Sequence, residues 1–239
     1  MENLLEVAEK PQPKKTSQVY FLLKFGEEEH LKSLVEKGII YLGAINKLRE
    51  GDNHKFDSYE GATFIKGFVG GGIIESSHPT LGYLKMKFES GTYKETYETL
   101  YGNICSFYAI TQDHFTDSKL TSVDSRMQEF GSHFVMINMS EFMKRLRKKL
   151  EELKLKYHGR LVEYYDEKSY EGRRGLFNKR NKFEYQKEYR LYIENQEAEN
   201  PITITLDDLS DIAWIAPSNT VDKLTMDVTY SIEVDNVIH

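Results

Sequence analysis

Apolar residues in this chain fall into short runs of strand length. Only one stretch, Ser140 to Tyr157, repeats them at helical spacing for several turns. Phe142, Leu146, Leu150, Leu153 and Tyr157 would form its apolar stripe, with Ser140 as N-cap and Gly159 as the stop. A shorter helix is expected over His30 to Glu36. Acids at Glu27, Glu28 and Glu29 suit the positive end of its dipole, and Gly38 follows its last turn. Strands are expected at Val19 to Phe25, Ile39 to Leu42, Thr63 to Val69, Tyr83 to Phe88, Ile104 to Ile110, His133 to Asn138, Arg160 to Tyr165, Glu188 to Ile193, Ile202 to Leu206, Ile212 to Ile215 and Val228 to Val234. Gly70-Gly71-Gly72, flanked by Thr63 to Val69 and Gly72 to Ile74, reads as a hairpin turn or bulge, and Gln112 to Glu129 as loop. The sum is an α+β domain with mixed, mostly antiparallel sheets and few helices. One domain, residues 19 to 239, would follow a flexible leader, residues 1 to 18, which carries Pro11 and Pro13 among polar residues.

A length of 239 residues can bury a substantial core, and 16 Tyr with 13 Phe favour a folded chain. The net charge of -6 disfavours a nucleic-acid-coating surface but allows a local basic groove. The single cysteine, Cys105, lies in an apolar run, where a small buried residue is the expectation and a nucleophile is not. The seven His are scattered without metal-ligand spacing, so no metal is expected. No apolar run reaches the length of a membrane span, and Met1 to Lys15 has no signal core, so the expected location is cytoplasmic with no membrane partner.

The richest chemistry lies in Phe183 to Ile193. From Glu188 onward Tyr189, Leu191 and Ile193 would share one strand face, and Glu188, Arg190 and Tyr192 the other. Gln186 would join the polar face two residues earlier. A carboxylate with an amide and an Arg beside it can stabilise positive charge and bind hydroxyls. The plain alternative is a solvated strand face.

The opening Tyr20-Phe21-Leu22-Leu23-Lys24-Phe25-Gly26, its following helix and Gly38-Ile39-Ile40-Tyr41-Leu42 resemble the start of the ADP-ribosyltransferase superfamily. Gln186-Lys187-Glu188 is similar to the Q/E-x-E element that carries the catalytic glutamate there. Asp57-Ser58-Tyr59-Glu60-Gly61 and Phe177-Asn178-Lys179 fit companion patterns in related bacterial sequences. The resemblance implies an ADP-ribosyltransferase-like fold and a mono-ADP-ribosyltransferase that uses NAD as co-substrate. It implies Glu188 as the catalytic carboxylate and Gln186 as the residue orienting the acceptor. Lys24 would stand where the family often has His or Arg, a point charge in place of a planar fork. With Arg49 or Lys179 it would hold the pyrophosphate, while Phe25, Tyr41 and Tyr185 would line the site against the aromatic rings. The acceptor would be RNA, DNA or protein. Such an enzyme could be the toxin of a toxin–antitoxin or phage-defence system, with an antitoxin protein as partner. The alternative is a non-catalytic module. It would bind nucleic acid through the helix face Lys144, Arg145, Arg147, Lys148 and Lys149, or a protein through its charged loops.

Overall fold

The structure, a computed structural model, describes residues 17–48, 59, 62–80, 82–96, 99–117, 119–120, 122–196 and 199–226. Most of the expected leader, Arg49 and the expected strand Val228 to Val234 lie outside the described residues.

The chain opens with β1 (Val19–Gly26), α1 (Glu28–Lys37), β2 (Ile39–Ala44) and the single-turn α2 (Ile45–Leu48). A long hairpin follows, β3 (Ala62–His78) and β4 (Gly82–Thr96), then β5 (Asn103–Thr111) and the small hairpin β6 (Phe115–Thr116) and β7 (Lys119–Leu120). Next come β8 (His133–Asn138), α3 (Met139–Glu152), β9 (Tyr157–Leu161), β10 (Glu163–Tyr165), β11 (Glu171–Arg173) and β12 (Asn178–Arg180). β13 (Glu188–Ile193), β14 (Ile202–Thr205) and β15 (Ala213–Pro217) complete the set. The expected α+β architecture is observed, with sheets that are mostly antiparallel; β10 and β12 form a parallel pair.

The main sheet has eight strands and is organised on β5. α1 and α3 cover one face, burying Leu31, Leu34, Phe142, Leu146 and Leu150 against Leu22, Phe107, Leu191 and Ile193. Each such side chain contributes roughly 1.5–3 kcal/mol on burial. The opposite face packs Leu23, Tyr108, Ile110, Met127, Phe134 and Val221. The alternation expected along β13 is what divides its residues: Tyr189, Leu191 and Ile193 enter the helix-side core, and Tyr192 packs on the other side.

Some sequence expectations need correction, and of the two readings of the glycine cluster the bulge is the one observed. α3 ends at Glu152, before the expected stop at Gly159, because Tyr157 joins β9 and pairs with Ile193. Its N-cap is Asn138, whose side-chain oxygen accepts from the Glu141 N–H, and not Ser140. Leu153 falls beyond the helix and is exposed. The glycine cluster is a bulge inside one continuous strand: the β3–β4 register shifts between Val69 and Gly72, with Gly70 and Gly71 at positive φ. The expected loop Gln112 to Glu129 contains two 3₁₀ turns, Gln112–His114 and Ser125–Phe130, besides β6 and β7.

Candidate functional site

The site arises from how β5 shares its edges. β13 takes one edge from Asn103 to Tyr108. The other is divided. β1 pairs with Tyr108 to Thr111, then leaves after Leu23 and follows β8 out to Gly26. β2 meets β5 only at Ile104 and Asn103, through Gly43 and Ala44. Between them Cys105, Ser106 and Phe107 have no strand partner on that edge among the described residues. α1 forces this parting, because the chain must leave β1, pack the helix over the sheet and reverse at Gly38 before β2 begins.

Open backbone groups in a sheet need partners. The Lys24 ammonium enters the gap and donates to the Ser106 carbonyl at 2.9 Å, 5.4 Å from the Phe107 ring centroid. A cavity of about 310 Å³ opens here, lined among others by Lys24, Phe25, Tyr41, Ser106, Lys179, Gln186, Glu188 and Arg190. A second cavity, about 520 Å³, adjoins it beneath α1 and shares Lys24, Phe25, Tyr41, Cys105 and Phe107 with it. Both lie in the size range of ligand pockets, roughly 300–1,000 Å³.

Glu188 is 4% exposed and Arg190 1%, so the solvated-face alternative fails. One Glu188 carboxylate oxygen accepts from Ser106 Oγ at 2.6 Å and Arg190 Nε at 2.7 Å. The other accepts from Lys179 Nζ at 3.0 Å. Lys179 also donates to Gln186 Oε1 at 2.6 Å. Arg190 donates in addition to the Leu176 carbonyl, and the Glu188 N–H donates to the Tyr164 hydroxyl at 2.9 Å. Burial pushes the Glu188 carboxyl up. The Arg190 and Lys179 cations and the hydrogen bonds from Arg190 and Ser106 outweigh it and hold the group well below the ordinary carboxylate range. Lys24, Lys179 and Arg190 set three cations against one carboxylate around the cavity, which therefore favours an anionic ligand.

Six of the eight residues expected at the site line this cavity: Glu188, Gln186, Lys24, Phe25, Tyr41 and Lys179. Gln186 gets there differently from expected. It ends the 3₁₀ turn Asn181–Gln186, Lys187 takes a left-handed conformation at φ 37°, and the strand begins only at Glu188. Lys179, arriving on β12, joins the two side chains. Tyr185 does not line the cavity. Its hydroxyl accepts from Gln186 Nε2 at 3.3 Å, and the Arg126 guanidinium lies 3.9 Å from its ring centroid. Arg49 lies outside the described residues. Sequence reasoning missed Ser106; its signal was a small polar residue inside the otherwise apolar and aromatic run Ile104 to Ile110. The strand alternation puts Arg190 on the polar face without marking a role for it.

The basic face of α3 is partly neutralised. Arg145 donates to Asp211 at 2.9 Å, Lys144 lies 3.7 Å from Glu141, and Lys149 lies 3.5 Å from Glu152. Among the described residues no group of three or more His, Cys, Asp or Glu could hold a metal ion, and no helix is long and apolar enough to cross a membrane. No family model, curated protein or solved structure matches the chain.

Proposed function

We propose that the chain is a mono-ADP-ribosyltransferase of ADP-ribosyltransferase-like fold, moving ADP-ribose from NAD to a macromolecular acceptor. The observation that carries this reading is the meeting of Lys24 and Glu188, remote in sequence, at one cavity where β1 and β2 part over β5. The reaction breaks the bond between the ribose anomeric carbon and the nicotinamide nitrogen. The bonding pair stays with the nitrogen and neutral nicotinamide leaves. The acceptor's nucleophilic atom bonds to the same carbon and gives its proton to solvent. The transition state resembles an oxocarbenium ion, which a nearby carboxylate stabilises. Glu188 suits that role because it stays ionised. A carboxylate offers about four lone-pair sites, and Ser106, Arg190 and Lys179 fill three, leaving room for a ribose hydroxyl. Lys24 would hold the pyrophosphate with Lys179 in support. Gln186, fixed by Lys179, would orient the acceptor, and Phe25 and the exposed Tyr41 would pack against the aromatic rings.

Incubating the protein with labelled NAD and RNA, DNA or protein in turn identifies the acceptor. Wild type labels one of them, and Glu188→Gln lowers the rate by about 10²–10³. Lys24→Gln, outside the buried ion cluster, lowers it with the fold intact. No label on any acceptor, together with no NAD consumption, contradicts the reading. A toxin role would show as growth arrest on expression, relieved by Glu188→Gln or by an antitoxin protein.

The interaction-module alternative finds support in the β3–β4 ribbon, where Val69, Ile73, Ile74, Tyr83, Leu84, Met86 and Tyr93 are each half or more exposed.

A further inference from the structure

Beside Glu188 lies a second polar unit that the proposed chemistry does not use. Tyr108 lines the same cavity and sits directly across from Glu188 in the β5–β13 ladder. Its hydroxyl is 3.1 Å from His114 Nε2. His114 ends the 3₁₀ turn that follows β5, and a reciprocal capping arrangement with Thr111 fixes it: the Thr111 side chain accepts from the His114 N–H, and the Thr111 N–H donates to His114 Nδ1 at 3.1 Å.

The backbone contact assigns the tautomer, and the Thr111 hydroxyl, 3.0 Å from the same Nδ1, is consistent with it as a second donor. An Nδ1 that accepts from a backbone N–H carries no proton, so in the neutral ring the proton is on Nε2. Nε2–H then donates to the Tyr108 oxygen. The tyrosine's own proton is directed elsewhere, and among the described residues no acceptor receives it. Burial pulls His114 below its ordinary value, with the Lys187 charge adding to this, and burial pushes the Tyr108 hydroxyl up, so both groups stay neutral. A buried hydroxyl proton without an acceptor, on a residue that lines a cavity, is a donor waiting for a ligand oxygen.

We propose that Tyr108 is a ligand-binding residue of the cleft, donating its hydroxyl proton to a ribose or phosphate oxygen of the dinucleotide beside Glu188, and that His114 is the positioning residue that orients it. This rests on the reading of the cleft as an NAD site. A core-filling role would need the ring but not the hydroxyl.

The experiment is steady-state NAD turnover, with melting temperatures, for wild type, Tyr108→Phe, His114→Ala and His114→Gln. Alongside it, nitrogen-15 spectra of the histidines are recorded without ligand at neutral pH. Tyr108→Phe is expected to raise KM for NAD by up to about tenfold, the loss of one hydrogen bond, and to affect KM more than kcat. His114→Ala should raise KM similarly, and His114→Gln, which keeps an N–H near the Nε2 position, should recover most of the loss. The spectra should show His114 as the Nε2–H tautomer. Unchanged KM in Tyr108→Phe overturns the proposal even if NAD is a good substrate, and so does an Nδ1–H tautomer. Wild type that neither binds nor consumes NAD overturns the NAD reading and this proposal together, which separates the two failures.

Discussion

At the scale of single residues, Glu188 is the side chain on which the site depends. A buried carboxylate is tolerated only if its partners are also fixed, and here Arg190 and Lys179 are as buried as Glu188 itself. Removing the carboxylate strands two buried cations, so Glu188→Gln should cost stability as well as activity, on the order of 3–5 kcal/mol at neutral pH. The pH dependence has a definite sign. A carboxyl held below its ordinary value of 4.5 stabilises the fold at any pH above that value and loses the contribution as pH falls through the lowered one. Urea denaturation of wild type and Glu188→Gln should therefore show a gap that is constant near neutrality and narrows below pH 4.5. A gap that widens on acidification would mean that the carboxylate is not held by these cations. Gln186 and Glu188 were legible because they are two apart in sequence. Ser106 was not, because its partner is 82 residues away: a serine in an apolar strand stands out locally, but nothing there shows which distant carboxylate it will face.

At the scale of elements, the site exists because β1, α1 and β2 are too close together for β2 to run on beside β1. The short unit was visible in the sequence, and its first strand and helix were placed to within two residues of those observed. The parting of the two strands on β5 was not visible, since pairing partners are set by the whole sheet and not by the local pattern. α3 shows the same limit: its apolar period runs on to Tyr157, yet pairing with β13 draws that residue into a strand. Gly38 is where the reversal can be tested. It is left-handed at φ 63°, and a Cβ there would meet the Leu206 carbonyl oxygen at 2.4 Å. Gly38→Ala should destabilise by more than the roughly 1–2 kcal/mol of the backbone conformation alone. Thermal and urea unfolding would check it. A variant as stable as wild type would show that this turn does not hold β2 in place.

At the scale of the molecule, α1 and α3 cover one face of the main sheet, and the gap between β1 and β2 opens onto adjoining cavities of about 310 and 520 Å³, the larger beneath α1. The α+β class was legible from the scarcity of helical periodicity, and so was the α1–α3 core from its apolar stripes. The length of the β3–β4 ribbon was not, because a glycine cluster suits a hairpin turn as well as a bulge, and only the continuous ladder decides for the bulge. The claim that unites these observations is that the gap receives a dinucleotide, with Lys24 and Glu188 on its two sides. The most direct test is a calorimetric titration of the wild-type protein with NAD, repeated with Lys24→Gln and Tyr108→Phe. Saturable one-site binding to wild type, weakened in both variants, is the predicted result. No heat of binding at millimolar NAD, or binding of equal strength in all three proteins, would contradict it.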